Sequence, residues 1–268
     1  MDHQASQPIG IFDSGIGGLT VANAIIKALP EEEIIYFGDT AHLPYGEKSA
    51  DAIRYYSLRI AKFLLERHCK MVVIACNSAS TAAYRVLLDF FKAQALFVNV
   101  VDPLVDAVAQ RSFRRVGVIA TKATVQSGVY EQQLRQLKPD LEVRSLATPL
   151  LAPMIEEGFV NNDISQVVLG SYLGDPHLEG IEALLLACTH YPLIKSAIDD
   201  YYRHRIEIFD STDLVANEVR QKLAVHQLLN ERRRHAHQFY VSDYTATFEQ
   251  ATRVFYKEEI HLEHYPMW

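Results

Sequence analysis

The fold is decided by the stretch Met71-Val72-Val73-Ile74-Ala75-Cys76-Asn77-Ser78-Ala79-Ser80. It begins with an uninterrupted apolar run, which is typical of a strand that is buried on both faces. The polar residues that follow predict a turn leading directly into a helix. A buried strand followed at once by a helix indicates an α/β protein with a parallel sheet.

Similar apolar runs alternate with helical patterns along most of the chain. The clearest helical pattern covers residues 50–67, where apolar side chains recur at helical spacing. We predict strands at residues 9–12, 34–37, 71–75, 96–100, 116–119, 184–186, 206–209 and 239–241, the last followed by a helix at 247–257 and a short apolar run at 260–262. This alternation predicts parallel sheets that helices cover on both faces.

A weak internal repeat relates the two halves of the chain. The segment Gly10-Ile11-Phe12-Asp13 is similar to Gly117-Val118-Ile119-Ala120, and Ile74-Ala75-Cys76-Asn77-Ser78 is similar to Leu186-Ala187-Cys188-Thr189-His190. Because any two buried strands look alike, the similarity of the strands alone does not decide whether the two halves of the chain arose by duplication. The cysteine at the same strand end in both copies favours a duplication.

We therefore predict two pseudo-symmetric α/β domains, each with a mostly parallel sheet flanked by helices, and an active site in the crevice between them. The first domain comprises residues 1–99 and 210–268 and carries Asp13 and Cys76. The second comprises residues 100–209 and carries Thr121, Cys188 and His190. Ligands of parallel sheets bind outside the carboxyl ends of the strands, so the polar residues at those ends are the candidates for the site.

Composition and charge exclude several classes of function. The chain has 268 residues, of which 49% are hydrophobic and 22% charged, a balance typical of a globular protein. Its formal net charge of −7 argues against a nucleic-acid partner. No apolar run approaches the roughly 20 residues that span a bilayer, and residues 1–8 do not resemble a signal peptide. These features predict a cytoplasmic protein with no membrane partner.

The three cysteines are expected to be free thiols. Their odd number does not suit a disulfide framework, and the absence of a C-x-x-C pair predicts no metal site. Cys69 is expected to be an ordinary core residue. Cys76 and Cys188 each follow a predicted buried strand and precede a turn into a helix. A thiol at a helix N-terminus can have its pKa lowered from about 8.5 to roughly 3.5–7.5.

Two kinds of chemistry fit these thiols. Either cysteine alone, with His190 as a nearby base, could be the nucleophile of a hydrolase. A matched pair instead suits a reaction that needs a base on one face of an atom and an acid on the other, and inversion of an α-carbon is such a reaction. The hydroxyl groups and helix starts at the strand ends can hold carboxylates without lysine or arginine.

Dinucleotide binding is the rival interpretation of the first strand end. Gly15 and Gly17 follow a strand and open a helix, and Asp39 lies at the end of the next predicted strand, as in the Rossmann pattern. Thr20 stands at the third glycine position, and Asp13 would place a carboxylate beside the phosphates. Both departures disfavour a nucleotide.

Four segments together resemble the signature segments of glutamate racemases, over residues 9 to about 250. They are Asp13-Ser14-Gly15-Ile16-Gly17-Gly18-Leu19, Gly38-Asp39-Thr40 with Pro44-Tyr45-Gly46, Ala75-Cys76-Asn77-Ser78-Ala79-Ser80 and Cys188-Thr189-His190-Tyr191-Pro192-Leu193. The resemblance implies interconversion of L- and D-glutamate without a cofactor, to supply D-glutamate for peptidoglycan. It also implies two α/β domains with the site between them.

The resemblance also implies a role for each matching residue. Cys76 and Cys188 would be the acid/base thiols, with Asp13 assisting Cys76 and His190 assisting Cys188. The residues that would bind the small-molecule substrate glutamate are Asp13, Ser14, Pro44, Tyr45, Gly46, Asn77, Ser78, Thr121, Thr124, Thr189 and His190. The chain departs from the family pattern in small ways, with Ser78 where threonine is common and Ala120 and Ala187 where glycine is common.

Two further alternatives stay open. An aspartate racemase would share the fold and the paired cysteines, although His190, the segment Asp13-Ser14 and the segment Pro44-Tyr45-Gly46 favour glutamate. A binding module without catalysis could keep a glutamate-like pocket. The sequence leaves the oligomeric state undecided, with a homodimer as one option.

Overall fold

The computed structural model describes residues 2–160, 162–256 and 260–268, and the strands in these ranges form two sheets. The first sheet contains β1 (Ile9–Asp13), β2 (Ile34–Gly38), β3 (Met71–Ile74), β4 (Leu96–Asn99), β9 (Gln238–Val241) and β10 (Glu263–His264). The second contains β5 (Arg115–Ala120), β6 (Glu142–Ala147), β7 (Ala183–Ala187) and β8 (Glu207–Asp210). All the pairings between these strands are parallel.

Helices connect the strands, as parallel pairing requires. In chain order they are α1 (Asp2–Ala5), α2 (Leu19–Ala28), α3 (Ala50–Glu66), α4 (Asn77–Phe91), α5 (Asp102–Ala109), α6 (Lys122–Ser127), α7 (Val129–Leu137), α8 (Leu151–Glu156), α9 (Asp163–Leu173), α10 (Lys195–Tyr201), α11 (Thr212–Val225) and α12 (Ala246–Tyr256). Of the helices in the described ranges, none is both long and apolar enough to cross a membrane. The predicted α/β class with two parallel sheets is confirmed.

The two sheets share one strand order. The first sheet runs β10-β9-β2-β1-β3-β4, and the second runs β6-β5-β7-β8. If β1, β2, β3 and β4 are matched with β5, β6, β7 and β8, the order is the same in both. The internal repeat seen in the sequence is therefore a repeat of topology, and Cys76 and Cys188 follow the matching strands β3 and β7.

The central strands form because their residues are apolar, apart from Asp13 at the end of β1. Every residue of β1, β2, β3 and β7 is buried, as expected for strands covered on both faces. The edge strand β6 was not predicted, since its sequence Glu-Val-Arg-Ser-Leu-Ala carries charged and polar residues and is only partly buried. The apolar run at 260–262 is not a strand, and β10 lies just after it.

The C-terminal part of the chain completes the first sheet. Strands β9 and β10 extend it beyond β2, and α11 returns the chain from β8 to pack against α2 and α5. Helix α12 lies where a helix was predicted, although Lys257 of that prediction falls outside the described residues. The boundaries of the two domains, at 99/100 and 209/210, stay a prediction.

Candidate active site

A cavity of about 210 Å³ lies where the carboxyl ends of strands from both sheets meet. The predicted site residues on its wall are Ser14, Pro44, Tyr45, Gly46, Cys76, Asn77, Ser78, Thr121, Cys188, Thr189 and His190. Leu43, Ala152, Pro153 and Glu156 also line it and were not predicted. Two predicted residues, Asp13 and Thr124, are buried behind this wall rather than on it.

Cys76 is separated from the end of β3 by Ala75 and is the residue that precedes the first turn of α4. Its sulfur accepts a hydrogen bond from the backbone N–H of Ala79 at 3.4 Å, as a helix-capping group does. Burial and the nearby negative charge of Asp13 nevertheless raise the pKa of the Cys76 thiol to about 12. The expected lowering of this pKa is therefore wrong, because the cost of burying a thiolate exceeds the benefit of the helix start.

Cys188 has a different environment. Its sulfur lies 3.6 Å from Nδ1 of His190, and Nε2 of that ring lies 2.7 Å from a carboxylate oxygen of Glu156. Burial alone would lower the pKa of His190, but the interactions with Cys188 and Glu156 raise it well above its ordinary value. A protonated imidazole therefore lies beside the sulfur of Cys188. The site thus holds one thiol that is kept neutral and one that is paired with a cation.

Asp13 lies at the end of β1 with its carboxyl group almost fully buried. One oxygen, Oδ2, accepts hydrogen bonds from the backbone N–H groups of Gly15 at 3.1 Å and Gly18 at 3.0 Å. The other, Oδ1, has no hydrogen-bond partner among the residues that the structure describes. Burial raises the pKa of Asp13, with His190 and the backbone donors acting against it. A carboxyl group in this setting can hold or release a proton next to Cys76.

Hydroxyl groups from both sheets meet on one side of the cavity. Ser78, in the first turn of α4, lies 2.9 Å from the hydroxyl of Thr121 and 3.3 Å from that of Thr124. Thr121 follows the last residue of β5 and caps α6 by accepting a hydrogen bond from the backbone N–H of Thr124. Such hydroxyls, together with the free N–H groups of two helix starts, can bind a carboxylate.

The segment Pro44-Tyr45-Gly46 forms another part of the wall, next to Thr121, and a buried carboxylate holds it in place. The hydroxyl of Tyr45 donates to Asp39 at 2.6 Å, and Asp39 also accepts from Ser242 at 2.7 Å and from the indole N–H of Trp268 at 2.8 Å. Asp39 is fully buried and does not reach the cavity. It is therefore not placed to bind a ribose, which counts against the dinucleotide alternative.

Sequence reasoning missed Glu156 and Trp268. Glu156 ends α8 in a stretch without a recognisable motif, and only the fold brings it to His190. Trp268 lies in the C-terminal segment that no motif covers. Within the described ranges, no group of three or more His, Cys, Asp or Glu side chains could hold a metal ion.

Two matched strand ends with a thiol on each define a class of α/β enzyme, and comparison with known proteins identifies it. The sequence profile of the Asp/Glu/Hydantoin racemase family matches residues 17–219, which is more than half of the chain. The chain therefore belongs to this family and is an amino-acid racemase.

Several relatives of this chain are glutamate racemases. That of Geobacter metallireducens is 41% identical over 242 residues, covering 90% of this chain and 89% of that protein. Glutamate racemase from Francisella tularensis, solved in complex with D-glutamate, has a TM-score of 0.92 at 37% identity and covers 98% of both chains. The enzyme from Thermus thermophilus, solved with β-chloro-D-alanine, has a TM-score of 0.88 at 37% identity and covers 97% of both chains.

Proposed function

We propose that this racemase interconverts L- and D-glutamate without a cofactor, using Cys76 and Cys188 as its two acid/base groups. One observation carries the proposal: the two thiols follow topologically matching strands and line a single cavity. The hydroxyl groups and helix starts around them provide a place for carboxylates. The similarity to glutamate racemases supports glutamate as the substrate.

In the proposed reaction, one thiolate removes the α-proton and the opposite thiol gives a proton to the other face of the carbon. The electron pair of the broken C–H bond passes to the α-carbon and its carboxylate, and then forms the new C–H bond. The developing negative charge is stabilised by hydrogen-bond donors that are already in place, here the N–H groups at the start of α4 and the hydroxyls of Ser78 and Thr121.

The two thiols exchange protonation states in each turnover. Burial and Asp13 favour the thiol form at Cys76, and the protonated imidazole of His190 lies beside Cys188. When Cys188 removes the α-proton and Cys76 gives its proton to the other face of the carbon, Cys188 becomes a thiol and Cys76 a thiolate. That second arrangement is the one needed for the opposite enantiomer, and Asp13 can take part in resetting it.

The test is exchange of the substrate's α-hydrogen in heavy water. Purified protein is incubated with L-glutamate, D-glutamate or aspartate, and deuterium at the α-carbon is followed together with optical rotation. We expect deuterium in glutamate at a rate comparable to racemisation, and much slower reaction with aspartate. Faster turnover of aspartate would favour an aspartate racemase, and binding of glutamate with no exchange would favour a binding module.

We also propose that the product supplies D-glutamate for peptidoglycan in the cytoplasm, a role that the resemblance to glutamate racemases implies. A bacterial strain that requires D-glutamate for growth provides the test. Expression of the chain should restore growth without added D-glutamate, and expression of the variant Cys188→Ser should not. Failure of the unaltered chain to restore growth, despite activity in vitro, would refute this role.

We expect Glu156→Gln to move the alkaline decline of activity to lower pH. Because the pKa of His190 lies well above its ordinary value, its proton is lost only as the pH rises through that high pKa. Removing the negative charge of Glu156 lowers this pKa, so the imidazolium beside Cys188 is lost at a lower pH. The dependence of kcat/KM on pH, from neutral to alkaline, measures the shift.

The matched control is Glu157→Gln, since Glu157 is the exposed neighbour of Glu156 and does not line the cavity. This variant should keep the pH profile of the unaltered protein. An alkaline decline that is the same in Glu156→Gln and Glu157→Gln would show that Glu156 does not act through His190.

A further inference from the structure

We propose that Tyr130 is a positioning residue that fixes the orientation of the Asn77 side-chain amide, so that its N–H₂ group faces the substrate. The proposal rests on the function above, in which Asn77 is part of the glutamate site. Tyr130 does not line the cavity and would act only through Asn77.

The contact between the two residues is short and buried. The hydroxyl of Tyr130 donates to Oδ1 of Asn77 at 2.6 Å, and each residue is 3% exposed. Burial raises the pKa of Tyr130, so the phenol keeps its proton and can act as a donor. On the other side of the same amide, Nδ2 has no hydrogen-bond partner among the described residues. A buried amide with one satisfied end and one unsatisfied end, on a cavity wall, points to a ligand.

The hydrogen bond determines which end of the amide is left without a partner in the protein, since Oδ1 is taken by Tyr130 and Nδ2 has no partner among the described residues. If the amide were turned over, Nδ2 would point to Tyr130 and the phenolic proton would lose its acceptor. The cavity would then receive Oδ1, an acceptor, which repels a carboxylate. Because the hydroxyl of Tyr130 donates its hydrogen bond to Oδ1 of Asn77, the N–H₂ group is the end of the amide that is left for an anionic substrate.

The local backbone brings Tyr130 to this position. Gly128, with φ of 65°, ends α6 in the left-handed conformation that favours glycine, and α7 begins at Val129. This bend directs the second residue of α7 toward the start of α4 in the other sheet's half of the molecule. The bond thus joins a helix that follows β5 to a helix that follows β3, and it links the orientation of Asn77 to the placement of the two halves.

The test is a double-mutant cycle with Tyr130→Phe, Asn77→Ala and the combined variant, measured as kcat and KM for both enantiomers of glutamate. Tyr130→Phe should lower kcat/KM by about fivefold to tenfold, mainly through KM, as for the loss of one hydrogen bond. In the Asn77→Ala background the same change should have no further effect, because the amide through which Tyr130 acts is gone. If Asn77→Ala does not fold, Asn77→Ser replaces it.

Tyr240→Phe is the matched control. Tyr240 is also buried, and its hydroxyl also donates to a side-chain amide oxygen, that of Gln238 at 2.8 Å, but it does not line the cavity. This variant should keep kcat and KM. A merely structural role for Tyr130 would lower kcat/KM by the same factor with and without Asn77, and that result would overturn the proposal, as would an unchanged KM in Tyr130→Phe.

Failure of the proposed function can be told apart from failure of this inference. If the unaltered protein binds D-glutamate but does not racemise it, the proposed function fails, and the same cycle is measured as dissociation constants by calorimetry. Weaker binding in Tyr130→Phe that disappears in the Asn77→Ala background would then still support the positioning role. Equal binding by the unaltered protein and Tyr130→Phe would refute it.

Discussion

Serine in place of Cys76 or of Cys188 is expected to lower racemisation of glutamate by roughly a thousandfold, within the range of general acid–base catalysis. A hydroxyl is a much weaker acid than a thiol, so serine cannot supply the base at neutral pH. Its size and polarity preserve the cavity, so binding of glutamate should change little. Polarimetry gives the rate, and calorimetry with D-glutamate gives the affinity.

The two variants should also differ from each other. Because each retains one thiol, each should exchange the α-hydrogen of one enantiomer with heavy water more readily than that of the other, and the preferred enantiomer should be opposite in the two. A single-base mechanism predicts the same preference in both. Normal racemisation by either variant would contradict the proposal that both thiols take part.

Cys69 provides the control for these substitutions. It is buried in the core of the first sheet's half, away from the cavity, and burial raises its pKa to about 12. Cys69→Ala should keep its racemase activity, at some cost in thermal stability from the lost packing. If Cys69→Ala folds normally but loses activity, then loss of activity on replacing a cysteine does not identify the catalytic thiols.

The features of the fold that the sequence predicts are those that a short stretch of residues determines. Uninterrupted apolar runs specify β1, β3 and β7, because a strand buried on both faces needs such residues along its whole length. Strand β6 lies at the edge of its sheet and is partly exposed, so its charged and polar residues give no such pattern. Its existence follows from the pairing with β5, which is a long-range property.

The candidate site divides in the same way. The positions of Cys76 and Cys188 at strand ends follow from local sequence, whereas the pairing of Glu156 with His190 depends on where α8 packs. The prediction that the pKa of Cys76 is lowered was wrong, because burial and the approach of Asp13 are properties of the folded protein. Local sequence places a reactive group, but its protonation depends on distant parts of the chain.

Gly17→Ala is expected to lower kcat by roughly a hundredfold, the scale on which misplacing catalytic groups acts. A β-carbon at this position would lie 2.4 Å from Cε1 and 2.6 Å from Nδ1 of His190, and 2.8 Å from the hydroxyl of Thr189. The ring is buried and held by Glu156, so it can move away only by leaving that carboxylate or the Cys188 sulfur. Steady-state kinetics in both directions, with a thermal melt for each variant, measure the effect.

The physical reason for a glycine at this position is close approach, since the φ angle of Gly17 is not in the left-handed region. Gly170→Ala is the control, because Gly170 lies inside α9 and the added carbon would meet no described atom within 4 Å beyond the neighbouring residues and backbone of its own helix. That variant should keep its activity and gain about 0.5–1 kcal/mol of stability. This contact explains the second glycine of the Gly15-x-Gly17 pattern without a bound dinucleotide. A residue without a side chain is needed there because the imidazole of His190, from the second sheet's half of the molecule, packs against it. Normal kcat in Gly17→Ala would mean that this contact does not hold His190 in its catalytic position.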